Sequence, residues 1–334
     1  MKSKQPPIRR IINGVEDGDV PLPHDWHRFI GSEANKADLI KFLSEYLIDC
    51  EYPVGRELVI GGGFESILTT RSNARGILAD LACDHEEADT RLIAHGCQAM
   101  RSGYKRMIVE CSDTDVLLLL IFHFGSEDVW MRAGTRADRK YYNVSQIAGR
   151  LPTQVRRNIL GFHSFTGCDV TSSFTGFGKT KCWKIFLEHP ETLAGIGREL
   201  GVEEPSKFVC LLYGLTDVHD VTAARLALFD KGVRDFAKLP PTEDALKLHL
   251  ERANHQTVIW LNSKNPIMDV PSPGSSGGWT EDENGLHTVW ITLPPIPGWC
   301  AELVICRCKT KCRFASCSCK NTINHVYRPV DVTP

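Results

Sequence analysis

Apolar residues recur at helical spacing from Ala34 to Asp49, where Leu39, Phe42, Leu43, Tyr46 and Leu47 lie three or four apart, and this predicts an amphipathic helix. Leu58-Val-Ile60 is a short apolar run stopped by Gly61-Gly-Gly63 and reads as a buried strand. Glu86 to Arg101 has helical period, Arg106-Met-Ile-Val-Glu110 reads as a strand, and Val116 to Phe122, apolar on every side, reads as a buried helix. Val129 to Arg132 is a further strand. Strands alternating with helices at this spacing predict an α/β fold, a mainly parallel sheet covered by helices on both faces. From about Val144 onward the pattern is helical almost throughout, whereas the first thirty residues carry little beyond Ile11-Ile12.

Composition adds boundaries to this pattern. Pro, Gly and Ser accumulate in Asn265-Pro266, in Pro271 to Gly278 and in Pro294-Pro295, and six of the thirteen cysteines follow between Cys300 and Cys319. The expected organisation is an irregular segment 1–30, a domain 31–260, a Pro/Gly-rich linker 261–299 and a small Cys-rich module 300–328. With 42% hydrophobic and 24% charged residues, a disordered, collagen-like or coiled-coil chain is excluded. The longest aliphatic run, Val116 to Phe122, falls far short of the roughly 20 residues that span a bilayer, so no membrane partner is expected. No secretory h-region follows the basic N-terminus, which points to an intracellular, reducing compartment. The net charge is −2, yet Leu303 to Val330 holds six Lys/Arg and no acid, a tail suited to nucleic acid.

Three acidic clusters fall where this arrangement would bring them together: His85-Glu86-Glu87-Ala88-Asp89 at a helix start, Ser112-Asp113-Thr114-Asp115 after a strand, and Gly167-Cys168-Asp169 after a helix. Sites in open sheets form outside the carboxyl ends of strands, where Asp113 and Asp115 belong. Glu87 and Asp89 diverge within a helix and converge only if they straddle its start, while Glu86 and Asp89, at i, i+3, are the alternative same-face pair. The first two clusters also have a plain reading as helix capping, and Asp169 as the cap of a turn. Convergence favours the other reading, because crowded carboxylates repel unless a cation neutralises them, and oxygen ligands suit Mg²⁺ or Mn²⁺.

Glu87-Ala-Asp89, Asp113-Thr-Asp115-Val-Leu and Gly167-Cys-Asp169 come in an order and spacing that resembles the PIN-like, or flap-endonuclease, superfamily. The resemblance extends into Phe174-Thr-Gly176-Phe-Gly178-Lys179-Thr-Lys181. Over nearly the whole chain the sequence is also similar to a multicopy, mobile-element-like group of animal proteins. This resemblance implies a PIN-like core, with Glu87, Asp89, Asp113, Asp115 and Asp169 as metal-site and catalytic positions in phosphodiester hydrolysis. Glu86 is added as a ligand candidate from helix geometry alone. The superfamily begins with a strand carrying a catalytic aspartate, whereas no strand ending in Asp is read in the first thirty residues, and Asp17 and Asp19 lie in a turn-like stretch. The expectation is therefore a core lacking that strand, with impaired activity.

Two glycine loops suggest other chemistry. Gly178-Lys179-Thr180 resembles the end of a phosphate loop, but Ser173 stands where its first glycine is required. Gly61-Gly-Gly63 has Ser66 at the third position of a dinucleotide loop and is better read as a turn. Gly176 and Gly178 remain suited to close approach of backbone N–H groups to phosphate oxygens, with Lys179 and Lys181 adding charge.

Cys306, Cys308, Cys312, Cys317 and Cys319, among basic neighbours, form a thiolate set of the kind that selects Zn²⁺. The pattern resembles half of a tesmin/TSO1-type CXC module, a zinc-cluster DNA-binding unit. The seven cysteines before residue 300 read as small buried hydrophobes. Together these features lead to the expectation of a divalent-metal-dependent nuclease acting on nucleic acid, DNA rather than RNA, in the nucleus rather than the cytoplasm. A catalytically inactive binding module and a nonfunctional gene fragment are the competing readings.

Overall fold

The computed structural model describes residues 24–292 apart from Glu65, Ile67 and Arg234. Asp17, Asp19 and the whole cysteine-rich module, with Cys306, Cys308, Cys312, Cys317 and Cys319, lie outside the described residues.

Two helices open the fold, α1 (Trp26–Ile30) and α2 (Glu33–Ile48). Each starts on a side-chain cap: Asp25 accepts from the amide of Arg28, and Ser32 from that of Asn35. Strands β1 (Val59–Gly61), β2 (Thr70–Ser72) and β3 (Gly76–Ile77) then make a small antiparallel sheet of their own. Helix α3 (Ala88–Arg101), β4 (Met107–Glu110), α4 (Thr114–His123), β5 (Val129–Ala133) and β6 (Lys140–Asn143) form the layer that carries the acidic residues. The helical half follows as α5 (Val144–Arg150), α6 (Thr153–Phe165), α7 (Lys179–Glu188), α8 (Glu203–Leu212), α9 (Val221–Asp230) and α10 (Glu243–Asn262). A short turn of helix, α11 (Pro273–Ser276), and the hairpin β7 (Trp279–Asp282) and β8 (Gly285–Thr288) complete the described chain.

The expected mainly parallel α/β sheet is not what forms. Of the described residues 48% are helical, and the sheets they form have only two or three strands, mixed or antiparallel. Among the described strands only β4 and β5 pair in parallel, with α4 as their crossover. A crossover needs a dozen or more residues, and between β5 and β6 the chain has only residues 134–139, so it turns back antiparallel. The strand read at Leu58 to Ile60 pairs locally with β2 and never joins β4. Helices also cover one face of the β4–β5–β6 sheet and not the other. Val109, Val129 and Met131 are buried against Ile93, Val116, Leu120 and Val144, whereas Ile108 and Tyr141, on the opposite face, are 54% and 52% exposed.

Two large apolar cores among the described residues hold this arrangement, with a small third around Cys210, Leu215 and Ala224. The first joins α3, α4, α5 and the sheet; the second joins α6, α7, α8 and α10 through Phe162, Phe165, Phe186, Phe208 and Leu246. Helices α6 and α10 belong to both: Ile159 and Leu160 face the first while Phe162 and Phe165 face the second, and Trp260 faces the first while Leu250 and Ala253 face the second. Residues read from composition as linker are in part held against the domain. The amide of Met268 donates to Asp84, and Arg252 of α10 donates to the carbonyls of Gly278 and Val289 with its guanidinium over the Trp279 ring. Of the seven cysteines expected to be buried, Cys83, Cys182 and Cys210 are, and the others are half-buried.

Candidate functional site

Helix α3 begins at Ala88, so Glu87 is its cap, with extended backbone at φ −80° and ψ 133°, and Asp89 sits in the first turn. The two carboxylates straddle the helix start, the one arrangement that lets residues two apart converge. Glu87 does not cap the helix with its side chain. Its carboxylate instead accepts from the amide Nε2 of buried Gln256 on α10, at 3.2 and 3.4 Å. Glu86, the same-face alternative, is exposed, and the charges named against Asp89 are those of Asp113, Glu87, Asp115 and Asp169.

Asp113 and Asp115 lie where β4 gives way to α4. Asp113 caps that helix, accepting from the Asp115 amide at 2.9 Å. Asp115, in the first turn, has Oδ1 2.7 Å from Nε2 of His163, a buried residue on α6. Asp169 follows α6 through a turn that demands glycine: Gly167 has φ +105°, and a Cβ there would come within 2.8 Å of the Ser173 side chain. The turn is closed by backbone and hydroxyl bonds between Cys168 and Thr171, and none of them uses the Asp169 carboxylate.

These carboxylates share one electrostatic field. The Asp89 carboxyl is pushed up to about 6, first by desolvation and then by the charges of Asp113, Glu87, Asp115 and Asp169. Asp115 moves the other way. The hydrogen bond from His163 and the nearby charge of Lys179 hold it below the usual carboxylate range against its own desolvation. Among the described residues, however, no three His, Cys, Asp or Glu side chains close into a ligand set for a metal ion. The reason is visible in the partners: Glu87 is drawn to Gln256, Asp113 to its own helix and Asp115 to His163. Asp89 and Asp169 accept no hydrogen bond from the described residues. The donor set is all oxygen and its charge uncompensated, which fits a hard divalent cation in kind.

The loop expected to hold a nucleic-acid backbone joins α6 to α7. Gly176 has φ +83°, and Gly178 caps α7 without a side chain. Lys181 lies over the Phe177 ring, 4.3 Å from its centroid. Lys179 is turned toward the acidic site. Its Nζ is 2.8 Å from Nδ1 of His163, 2.8 Å from the His163 carbonyl and 3.0 Å from Oγ1 of Thr166. Desolvation lowers its pKa to about 8, although the residue as a whole retains an exposed surface. Gly61 ends β1, and the glycines after it, at φ +94° and +77°, make a turn, as expected from Ser66.

No protein-family model, curated protein or solved structure matches the chain. No described helix is long and apolar enough to cross a membrane.

Sequence reasoning passed over His163, Gln256 and Trp260, whose ring is stacked on that of His163 at 5.5 Å. A signal was present for the first: every residue from Asn158 to Thr166 is buried, and a histidine in such an apolar stretch needs partners for both ring nitrogens. Gln256 and Trp260 are four apart on α10, and nothing local marks them as facing residues 169 and 97 positions away.

Proposed function

We propose that the protein is a divalent-metal-dependent, nuclease-like hydrolase of phosphodiester bonds, with Mg²⁺ or Mn²⁺ held by Glu87, Asp89, Asp113, Asp115 and Asp169. The observation that carries this reading is the convergence of five carboxylates from three segments on one place, where desolvation first, and then the charges of Asp113, Glu87, Asp115 and Asp169, oppose ionisation of Asp89. Capping accounts for one of the five, Asp113; it does not account for Glu87 or Asp169, whose side chains cap nothing. A divalent cation held there supplies Lewis-acid chemistry, activating water and stabilising charge on phosphoryl oxygens. The protein's own part is to hold the carboxylates at fixed positions: Gln256 orients Glu87, His163 orients Asp115, and the closed 166–171 turn presents Asp169. The backbone of the Gly176 to Gly178 loop and Lys181 would meet the phosphates on either side, with DNA as the favoured nucleic acid. Zinc on the cysteine-rich module belongs to the same proposal.

Cleavage assays test it. The full chain is incubated with single-stranded, hairpin and flap substrates of DNA and RNA, with Mg²⁺, with Mn²⁺ and with chelator, beside an Asp113→Ala/Asp115→Ala double variant. Cleavage is expected to require the cation and to fall at least about 100-fold in the double variant. Cation-independent cleavage, or equal cleavage by the double variant, would contradict the assignment. Nucleic-acid binding that weakens with salt but never leads to cleavage would leave a binding module in its place.

A further inference from the structure

Helix α6 buries a histidine between two charged groups from other elements, and hydrogen-bond arithmetic sets the state of its ring. A lysine ammonium has three N–H donors and no acceptor. Lys179 has three acceptors at hand: Nδ1 of His163, the His163 carbonyl and Oγ1 of Thr166. The Thr166 hydroxyl is free to accept because its own hydrogen goes to the Phe162 carbonyl at 2.8 Å. If Nδ1 accepts from Lys179 it carries no proton, so a neutral ring must be protonated at Nε2. That nitrogen is the one 2.7 Å from Oδ1 of Asp115. The ring plane is fixed by the Trp260 stack, with an interplanar angle of 26°. No described residue donates to Oδ2 of Asp115.

We propose that Lys179 and His163 are positioning residues for the acidic site. Lys179 fixes His163 as its Nε2–H tautomer, and that one N–H clamps Oδ1 of Asp115 so that Oδ2 is left for a cation. The role rests on the metal-site reading above and deepens it. It also separates Lys179 from the phosphate-gripping function suggested by its place beside Gly178, since all three of its N–H groups are spent inside the protein. Outer partners of this kind orient metal ligands, and losing one typically costs about 10–100-fold in metal affinity.

The test combines two readouts. Long-range ¹H–¹⁵N correlation spectra report which nitrogen of His163 carries the proton, without any cation present, and Mn²⁺ titration followed by electron paramagnetic resonance reports affinity. The wild type is expected to show His163 protonated at Nε2 only. Lys179→Met should mix the tautomers and weaken Mn²⁺ by about 10-fold or more, while Lys179→Arg keeps a donor and should lose less. His163→Gln keeps an N–H near the Nε2 position and should stay within about threefold of wild type, whereas His163→Phe, of similar shape, should lose about 10–100-fold. A wild-type ring protonated at Nδ1, or a Lys179→Met variant with tautomer and affinity both unchanged, would overturn the relay even if Mn²⁺ binds. A wild type with the expected tautomer that binds no Mn²⁺ would instead overturn the metal-site reading, and the positioning role with it.

Discussion

Asp89→Asn should make the protein more stable at pH 7.5, not less, and the gain should vanish on acidification. The folded-state carboxyl ionises near pH 6 against an ordinary value of 3.8. Between those values the folded chain holds a proton that the unfolded chain has released. The stabilisation tied to that proton is fully present below about pH 3.8 and lost as pH rises through about 6, so ionised Asp89 burdens the folded state at pH 7.5. Asparagine removes the charge at little change in size. With the cost discounted for solvent screening to about 1 kcal/mol, the melting temperature should rise by about 1–2 °C. Thermal melts from pH 4 to 8 check this. Millimolar Mn²⁺ should then reverse the order, stabilising the wild type and leaving the variant little changed, because a ligand that binds the folded state stabilises it in proportion to its affinity. A variant less stable than wild type at pH 7.5 would show that Asp89 is satisfied by the protein and carries no crowding cost.

Trp260→Ala should have the largest effect on stability, about 3–5 kcal/mol in urea unfolding. Trp260 is 3% exposed and closes the first core from the C-terminal end of α10. Its carbonyl accepts from Nε2 of His123 at 2.9 Å, and its ring stacks on His163. The loss therefore reaches the acidic site, and Mn²⁺ affinity should fall with it. Trp260→Phe restores an aromatic surface and should recover more than half of the lost stability. A cost below about 1 kcal/mol for the alanine variant would mean that α10 does not brace this core as described.

Local pattern carried the elements well. The expected helices at Ala34 to Asp49 and Glu86 to Arg101 and the strands at Arg106 to Glu110 and Val129 to Arg132 lie within two residues of α2, α3, β4 and β5. What failed was the step from elements to architecture. Alternating strands and helices implied parallel pairing, while the short 134–139 connection dictated a hairpin, a length argument that needed the position of β6. In the site, the decisive detail was also a boundary. Starting α3 at Ala88 rather than at Glu86 is what lets Glu87 and Asp89 straddle the helix start, and helix starts are where sequence pattern is least sharp. Lys179 carries a contact that the sequence did not show. Beside Gly178 it resembles a phosphate contact, and only the burial of His163, sixteen residues earlier, reveals where its ammonium goes.

The central claim, that five carboxylates from three segments hold a divalent cation, is met most directly by diffraction from crystals grown with Mn²⁺, recorded near the manganese absorption edge. The account predicts an anomalous peak among Glu87, Asp89, Asp113, Asp115 and Asp169, roughly 2.0–2.6 Å from at least two of their oxygens. Manganese bound elsewhere on the molecule, with Glu87, Asp115 and Asp113 still engaged by Gln256, His163 and the α4 N-terminus and no peak among the five carboxylates, would contradict it.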